Sequence, residues 1–141
     1  MANVLVLGLW LGLMEPSRPD GPDVLYAAGI STEGGFKKLI GRWVRPDGGY
    51  VLEIKNAEDN GRLGAAYYNP NPVHVARAEA SREGSTIVVF IELRDVNYPG
   101  ATYKLAYRPD EDQLTGEYYQ PILRQTFNVM FVRASRQGSD K

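Results

Sequence analysis

Two phenol–amide pairs are the groups in this chain best suited to holding a ligand: Tyr67 with Asn69, and Tyr118 with Gln120. In each, the amide follows the phenol by two residues, so in an extended strand both side chains project from one face. A phenol and a primary amide on a mostly apolar wall are the convergent polar groups that orient a small molecule. The same tyrosines would serve equally as core or girdle, each hydroxyl satisfied at a rim. Tyr50 and Tyr103 bring further phenols on adjoining alternating runs, and Arg77 supplies a candidate anchor for an anionic group.

Chemistry beyond binding has thinner support. The single histidine, His74, has the parity of an outward-facing rim residue, and one histidine alone makes no metal site. As a general base it would need an orienting carboxylate, and the spacing fixes none. Glu92 and Arg94 share a strand face and read as a surface ladder, while Asp95 beside Asn97 and Tyr98 reads as a loop at a barrel mouth. No nucleophile elbow, phosphate loop or His-Glu-x-x-His occurs, and Gly34-Gly35 and Gly48-Gly49 are turn glycines. The chain has no cysteine, which excludes disulfides, thiolate metal sites and cysteine nucleophiles. No catalytic residue, metal or cofactor is therefore assigned. A cofactor-free cyclase or isomerase, working by enclosure with Tyr and Arg, remains an alternative to a binding protein.

The elements that position these residues repeat. Leu63 to Pro70 (LGAAYYNP) resembles Leu114 to Pro121 (LTGEYYQP), Tyr50-x-Leu52-x-Ile54 matches Tyr103-x-Leu105-x-Tyr107, and Ala80-Ser81-Arg82 matches Ala134-Ser135-Arg136. The offset stays between 51 and 54 residues. Between Gly-, Pro-, Asn- and Asp-rich turns lie apolar alternating runs at 41–45, 50–56, 62–69, 73–81, 86–94, 101–108, 113–120 and 125–134. Eight such strands joined by hairpins predict an all-β fold, an eight-stranded antiparallel up-and-down β-barrel with an N-terminal extension. Parity turns Tyr50, Leu52 and Ile54 inward, with Tyr103, Leu105 and Tyr107, Ile87 to Leu93, and Phe127 to Arg133 at every second residue. On the fourth strand the expected inner row is Val73, Val75, Arg77 and Glu79. The repeat predicts that the two Tyr–amide pairs face each other symmetrically across the lumen, with Tyr68 and Tyr119 outside.

Leu39-Ile40-Gly41-Arg42-Trp43, followed by a glycine turn and a Tyr-x-Leu-x-Ile strand, resembles the opening of the lipocalin and avidin (calycin-type) barrels. In that family a Gly-x-Trp motif plugs one end, and in lipocalins an Arg from the last strand packs on the indole. The resemblance gives those roles to Trp43 and Arg133, a favourable cation–π pair. Leu63 to Asn69 also resembles an early avidin strand whose Tyr and polar residue reach biotin, which implies lumenal roles for Tyr67 and Asn69, although Ala65 stands where that pattern has glycine. The later tryptophans of avidins and the disulfides of lipocalins are absent. The likeness thus implies architecture and not biotin binding.

A chain of 141 residues fits one domain, and 16 basic against 17 acidic residues give no general attraction to nucleic acid or anionic membrane. Residues 1–38 read as an extension, 39–136 as the barrel and 137–141 as a disordered tail. Val4 to Met14 is almost wholly apolar but too short for a spanning helix, so no integral membrane span is expected. It has the length of an export signal's apolar region without preceding Lys or Arg. That predicts a periplasmic or secreted protein, with a cytoplasmic one as the alternative. The same arm could instead dock on a partner or on a second copy as a homodimer. The leading expectation is a binder of a small apolar or amphipathic molecule.

Overall fold

The computed structural model describes residues 35–135. The expected export signal, docking arm and C-terminal tail lie outside the described residues. A 3-10 turn, Phe36–Leu39, leads into nine strands: β1 (Gly41–Val44), β2 (Val51–Ala57), β3 (Leu63–Tyr68), β4 (Pro72–Val73), β5 (Val75–Glu83), β6 (Thr86–Asp95), β7 (Tyr98–Arg108), β8 (Gln113–Gln120) and β9 (Gln125–Arg133). They form one antiparallel sheet in the order β4-β3-β2-β1-β9-β8-β7-β6-β5. Each strand follows its neighbour by a short connection, except that β1 pairs with β9. The fold is the expected up-and-down, barrel-like meander, with nine strands in place of eight.

The extra strand comes from a break. β4 and β5 both belong to the run expected at 73–81, interrupted at His74. β4 pairs with β3 through Tyr67↔Val73, and lower down Arg62 and Glu79 form an isolated antiparallel bridge beside an Ala80 N–H to Gly61 carbonyl bond of 2.7 Å. The two sides of the wall therefore meet above and below and part between, leaving a slot lined by Gly64, Ala65, Ala76 and Ala78 among others. Gly61 has φ +98°, and a Cβ there would collide with the Ala80 carbonyl, so only glycine allows this last contact.

A β-bulge explains one misplaced residue. Between Val75 and Arg77 the β5–β6 register slips, leaving Ala76 unpaired. One extra residue reverses the strand's parity. Ala78 and Ala80 turn into the core while Arg77 points outward, against the expected inner row of Val73, Val75, Arg77 and Glu79. The other rows fall as expected. Leu52, Ile54, Val89, Ile91, Leu93, Leu105, Leu114 and Phe131 are all within 1 % of complete burial. Burying side chains of this size stabilises by roughly 1.5–3 kcal/mol each, before the entropy of ordering is subtracted.

One end of the barrel is closed by the 3-10 turn and Trp43. The indole Nε1–H donates to the Leu39 carbonyl at 2.9 Å, and the Arg133 guanidinium lies 4.2 Å above the ring. Arg133 also donates to the carbonyls of Ile40 (2.8 Å) and Lys38 (2.7 Å) and pairs with Asp112 at 2.7 Å. Gly116 lets β8 run close to β7: a Cβ there would strike the Lys104 carbonyl and come within 2.9 Å of the Leu105 Cα. Among the described residues no helix is long and apolar enough to cross a membrane.

Candidate functional site

The opposite end is open. β1, β3, β6 and β8 all end there and β2, β5, β7 and β9 begin there, so four connections frame one mouth. Those connections bound a pocket of about 490 Å3 whose walls include Tyr50, Tyr98, Tyr118 and Phe127, with Asn69, Gln120, Asn97 and Asn128 as its amides. Its base is a hydrogen-bonded chain. Asp47 accepts from Arg45 in bidentate fashion, Nε to Oδ1 at 2.9 Å and Nη2 to Oδ2 at 2.6 Å. Arg45 Nη1 donates to the Tyr103 hydroxyl at 3.0 Å, and that hydroxyl lies 2.7 Å from the hydroxyl of Tyr67. Tyr67 and Tyr103 are each 1 % exposed, and Arg45 is 8 % exposed. Below them the core side chains fill the barrel, so the accessible space is a mouth and not a deep lumen.

The electrostatics follow from this burial. Burial pushes the hydroxyls of Tyr67 and Tyr103 above the ordinary phenol range; contacts with Tyr67 and Arg45 oppose that rise at Tyr103. Tyr118, packed at 4.5 Å between ring centroids against Tyr103, is pushed up to about 12, again chiefly by burial. All three phenols stay neutral donors at physiological pH. Burial alone would weaken the Arg45 charge, but its bonds to Asp47 and Tyr103 outweigh burial and hold it protonated. The guanidinium also lies 4.1 Å from the centre of the Tyr50 ring. Its partner Asp47 is held below the usual carboxylate range by that same hydrogen bond.

Of the residues expected at a binding site, Tyr50, Asn69, Tyr118 and Gln120 line the mouth, whereas Tyr67 and Tyr103 are buried beneath it and reach it only through Arg45. Arg77 is not among them. It lies on the outer wall, paired with Glu79 at 2.7 Å and stacked over Phe90. The two Tyr–amide pairs are not symmetric either. Tyr67 registers with Leu52, whereas Tyr118 registers with Tyr103 and not with the repeat-equivalent Leu105. That two-residue slip leaves Tyr67 buried beneath the mouth and Tyr118 partly exposed in the wall. The amides differ as well: Asn69 donates to the Tyr98 hydroxyl, while Gln120 Oε1 accepts from the backbone N–H groups of Ile122 and Leu123.

Compared with family models, characterised proteins and solved structures, the chain matches none. The site therefore rests on its geometry. Sequence reasoning missed Arg45 and Asp47, which read as the start of a Pro-Asp-Gly-Gly turn. A signal was present, because Arg45 continues the inward parity of Trp43 two residues earlier. His74 is exposed, as its parity implied; its backbone N–H donates to Asp95 Oδ2 at 2.8 Å, and that bond with the Val96 N–H lowers the Asp95 pKa. Asp95 thus pins the rim. Among the described residues no group of three or more His, Cys, Asp or Glu is placed to hold a metal ion.

Proposed function

We propose that this protein is a small-molecule-binding barrel that takes a partly apolar ligand at its open mouth. The carrying observation is the pocket of about 490 Å3 in which three tyrosines and a phenylalanine surround an arginine–phenol chain. That volume lies within the range of ligand sites, and the mixture of aromatic walls with a few fixed polar groups is what such sites contain. A structural girdle would have little reason to leave Phe127 41 % exposed beside Tyr118 at the open end. The Trp43–Arg133 plug supports a finer reading as a lipocalin/avidin-like barrel, in which one end is sealed so that the other serves as the door.

Native mass spectrometry of the full chain purified from its own host tests this reading. The expected result is a co-purifying mass that is lost in Asn69→Trp, a change at an exposed rim residue on the inward-facing row that fills the mouth without touching the core. A wild-type protein carrying no bound mass, or a mass retained in the blocked variant, would remove the mouth as the site.

A further inference from the structure

Beneath the mouth, the paired phenols carry one more hydrogen-bond donor than the described residues supply acceptors for. Tyr67 and Tyr103 own two hydroxyl protons but share one bond. The Tyr103 oxygen already accepts from Arg45 Nη1. If Tyr67 donates to Tyr103, the Tyr103 oxygen has both acceptor positions filled and its own proton is left over; if the bond runs the other way, the Tyr67 proton is left. Either way, one buried O–H has no acceptor among the described residues, and buried hydroxyls are rarely left so. The rim repeats the pattern. The Tyr98 oxygen accepts from Asn69, leaving its proton available, and Gln120 Oε1 is engaged by two backbone N–H groups, leaving its amide N–H donors.

Charge selects further among acceptors. Arg45 and Asp47 are the two charged residues of the mouth, and they face each other through two short bonds. The cation that would welcome a carboxylate is already occupied by one. An entering anion would have to displace Asp47 or sit beside it, giving up hydration without a free counter-charge. A neutral carbonyl faces no such cost.

Resting on the mouth being a ligand site, we propose that it recognises neutral molecules presenting a carbonyl-type acceptor oxygen on an aromatic or aliphatic body, and that Asp47 is the residue that excludes their carboxylate counterparts. The rings of Tyr50 and Tyr118 receive the body, and the Tyr98 hydroxyl proton with the Gln120 amide, both on the mouth's lining, receives the oxygen. Asp47 acts as a specificity residue by holding Arg45 neutralised.

Benzamide and benzoate are a matched pair of probes, equal in shape and different in charge. Titrated into the isotope-labelled full chain at neutral pH, benzamide should move the side-chain amide signals of Gln120 and Asn69 at concentrations about tenfold below those benzoate needs. Asp47→Asn frees the Arg45 charge and should reverse that order, because benzoate then replaces the missing carboxylate. Benzoate binding the wild type as tightly as benzamide, with shifts at the mouth, would overturn the neutral selectivity while leaving the mouth a binding site. An unchanged order in Asp47→Asn would overturn the role of Asp47. If neither compound moves a mouth signal in either protein, the proposed ligand class falls, whatever native mass spectrometry shows. The wild-type comparison requires no variant, so a poorly folded Asp47→Asn protein would leave it decisive.

Discussion

Removing the Tyr103 hydroxyl should cost more stability than removing that of Tyr67, and removing both should cost less than removing Tyr103's alone. In Tyr103→Phe the buried Arg45 Nη1–H loses its acceptor and the bond between the two phenols is lost, while the single phenolic proton without an acceptor becomes that of Tyr67. The stranded Arg45 donor costs about 1–3 kcal/mol and the lost phenol–phenol bond about 1 kcal/mol, so the sum should be about 2–4 kcal/mol. Tyr67→Phe deletes a single bond and creates no new orphan, since one phenolic proton lacks an acceptor among the described residues before and after. Its cost should be about 1 kcal/mol. In the double variant the stranded Tyr67 hydroxyl is itself gone and Arg45 alone is left short, so the total should return to about 1–3 kcal/mol. Urea unfolding followed by circular dichroism at fixed pH measures all three. A double variant less stable than Tyr103→Phe, or equal costs for the two single changes, would refute the donor count beneath the mouth.

Other outcomes follow from the rest of the barrel. Gly116→Ala should destabilise by about 1–3 kcal/mol, because its Cβ meets main-chain atoms of Lys104 and Leu105 that cannot swing aside; a thermal midpoint equal to wild type would show that β7 and β8 yield freely. Arg133→Met keeps the stem over Trp43 but removes the charged donor to the exposed carbonyls of Lys38 and Ile40, for a loss of about 1–3 kcal/mol in urea unfolding; stability equal to wild type would show that water replaces the guanidinium. The hydrogen bond and charge of Arg133 lower the Asp112 pKa, so this pair's stabilisation is fully present above the unfolded value of about 3.9 and is lost as pH falls through the lower folded value. Asp112 is 44 % exposed in its side chain, which limits the effect to about 0.5–1 kcal/mol. Asp112→Asn should flatten that part of the stability curve below about pH 4, and an unchanged acid slope would assign it to other carboxylates.

Alternation was enough to read most of the barrel from the sequence. Every inward residue from Ile87 to Leu93 is buried, and the pairing of Trp43 with Arg133 appears as its motif implied. Two kinds of information were not in the pattern. A bulge is an insertion relative to a partner strand, so the slip at Ala76 that sends Arg77 outside is invisible until Val75 and Arg77 are set against Leu93 and Glu92. The unequal depth of Tyr67 and Tyr118 is a matter of register. Even so, the repeat's offset, 51 residues for the tyrosine strands and 53 for their neighbours, already contained the two-residue difference that breaks its symmetry. The Arg45–Asp47 pair was hidden by composition: a Pro-Asp-Gly-Gly turn signal is strong enough to mask an inward arginine at its edge.

The order of the sheet also constrains how the molecule assembles. β1 to β4 and β5 to β9 are two meanders whose hairpins form between close neighbours in the chain, so each can organise rapidly and alone. Besides the Arg62–Glu79 bridge, they are united where β1 meets β9, through two registered pairs, Trp43↔Arg133 and Val44↔Val132, from opposite ends of the described chain. Bringing such distant strands together is the costly closure step, and Arg133 stands at it with simultaneous holds on Trp43, Lys38, Ile40 and Asp112. The residue that caps the barrel is thus also its latch. In stopped-flow experiments its loss should appear mainly as faster unfolding, since a latch that engages after both halves exist contributes little to the barrier they cross in forming.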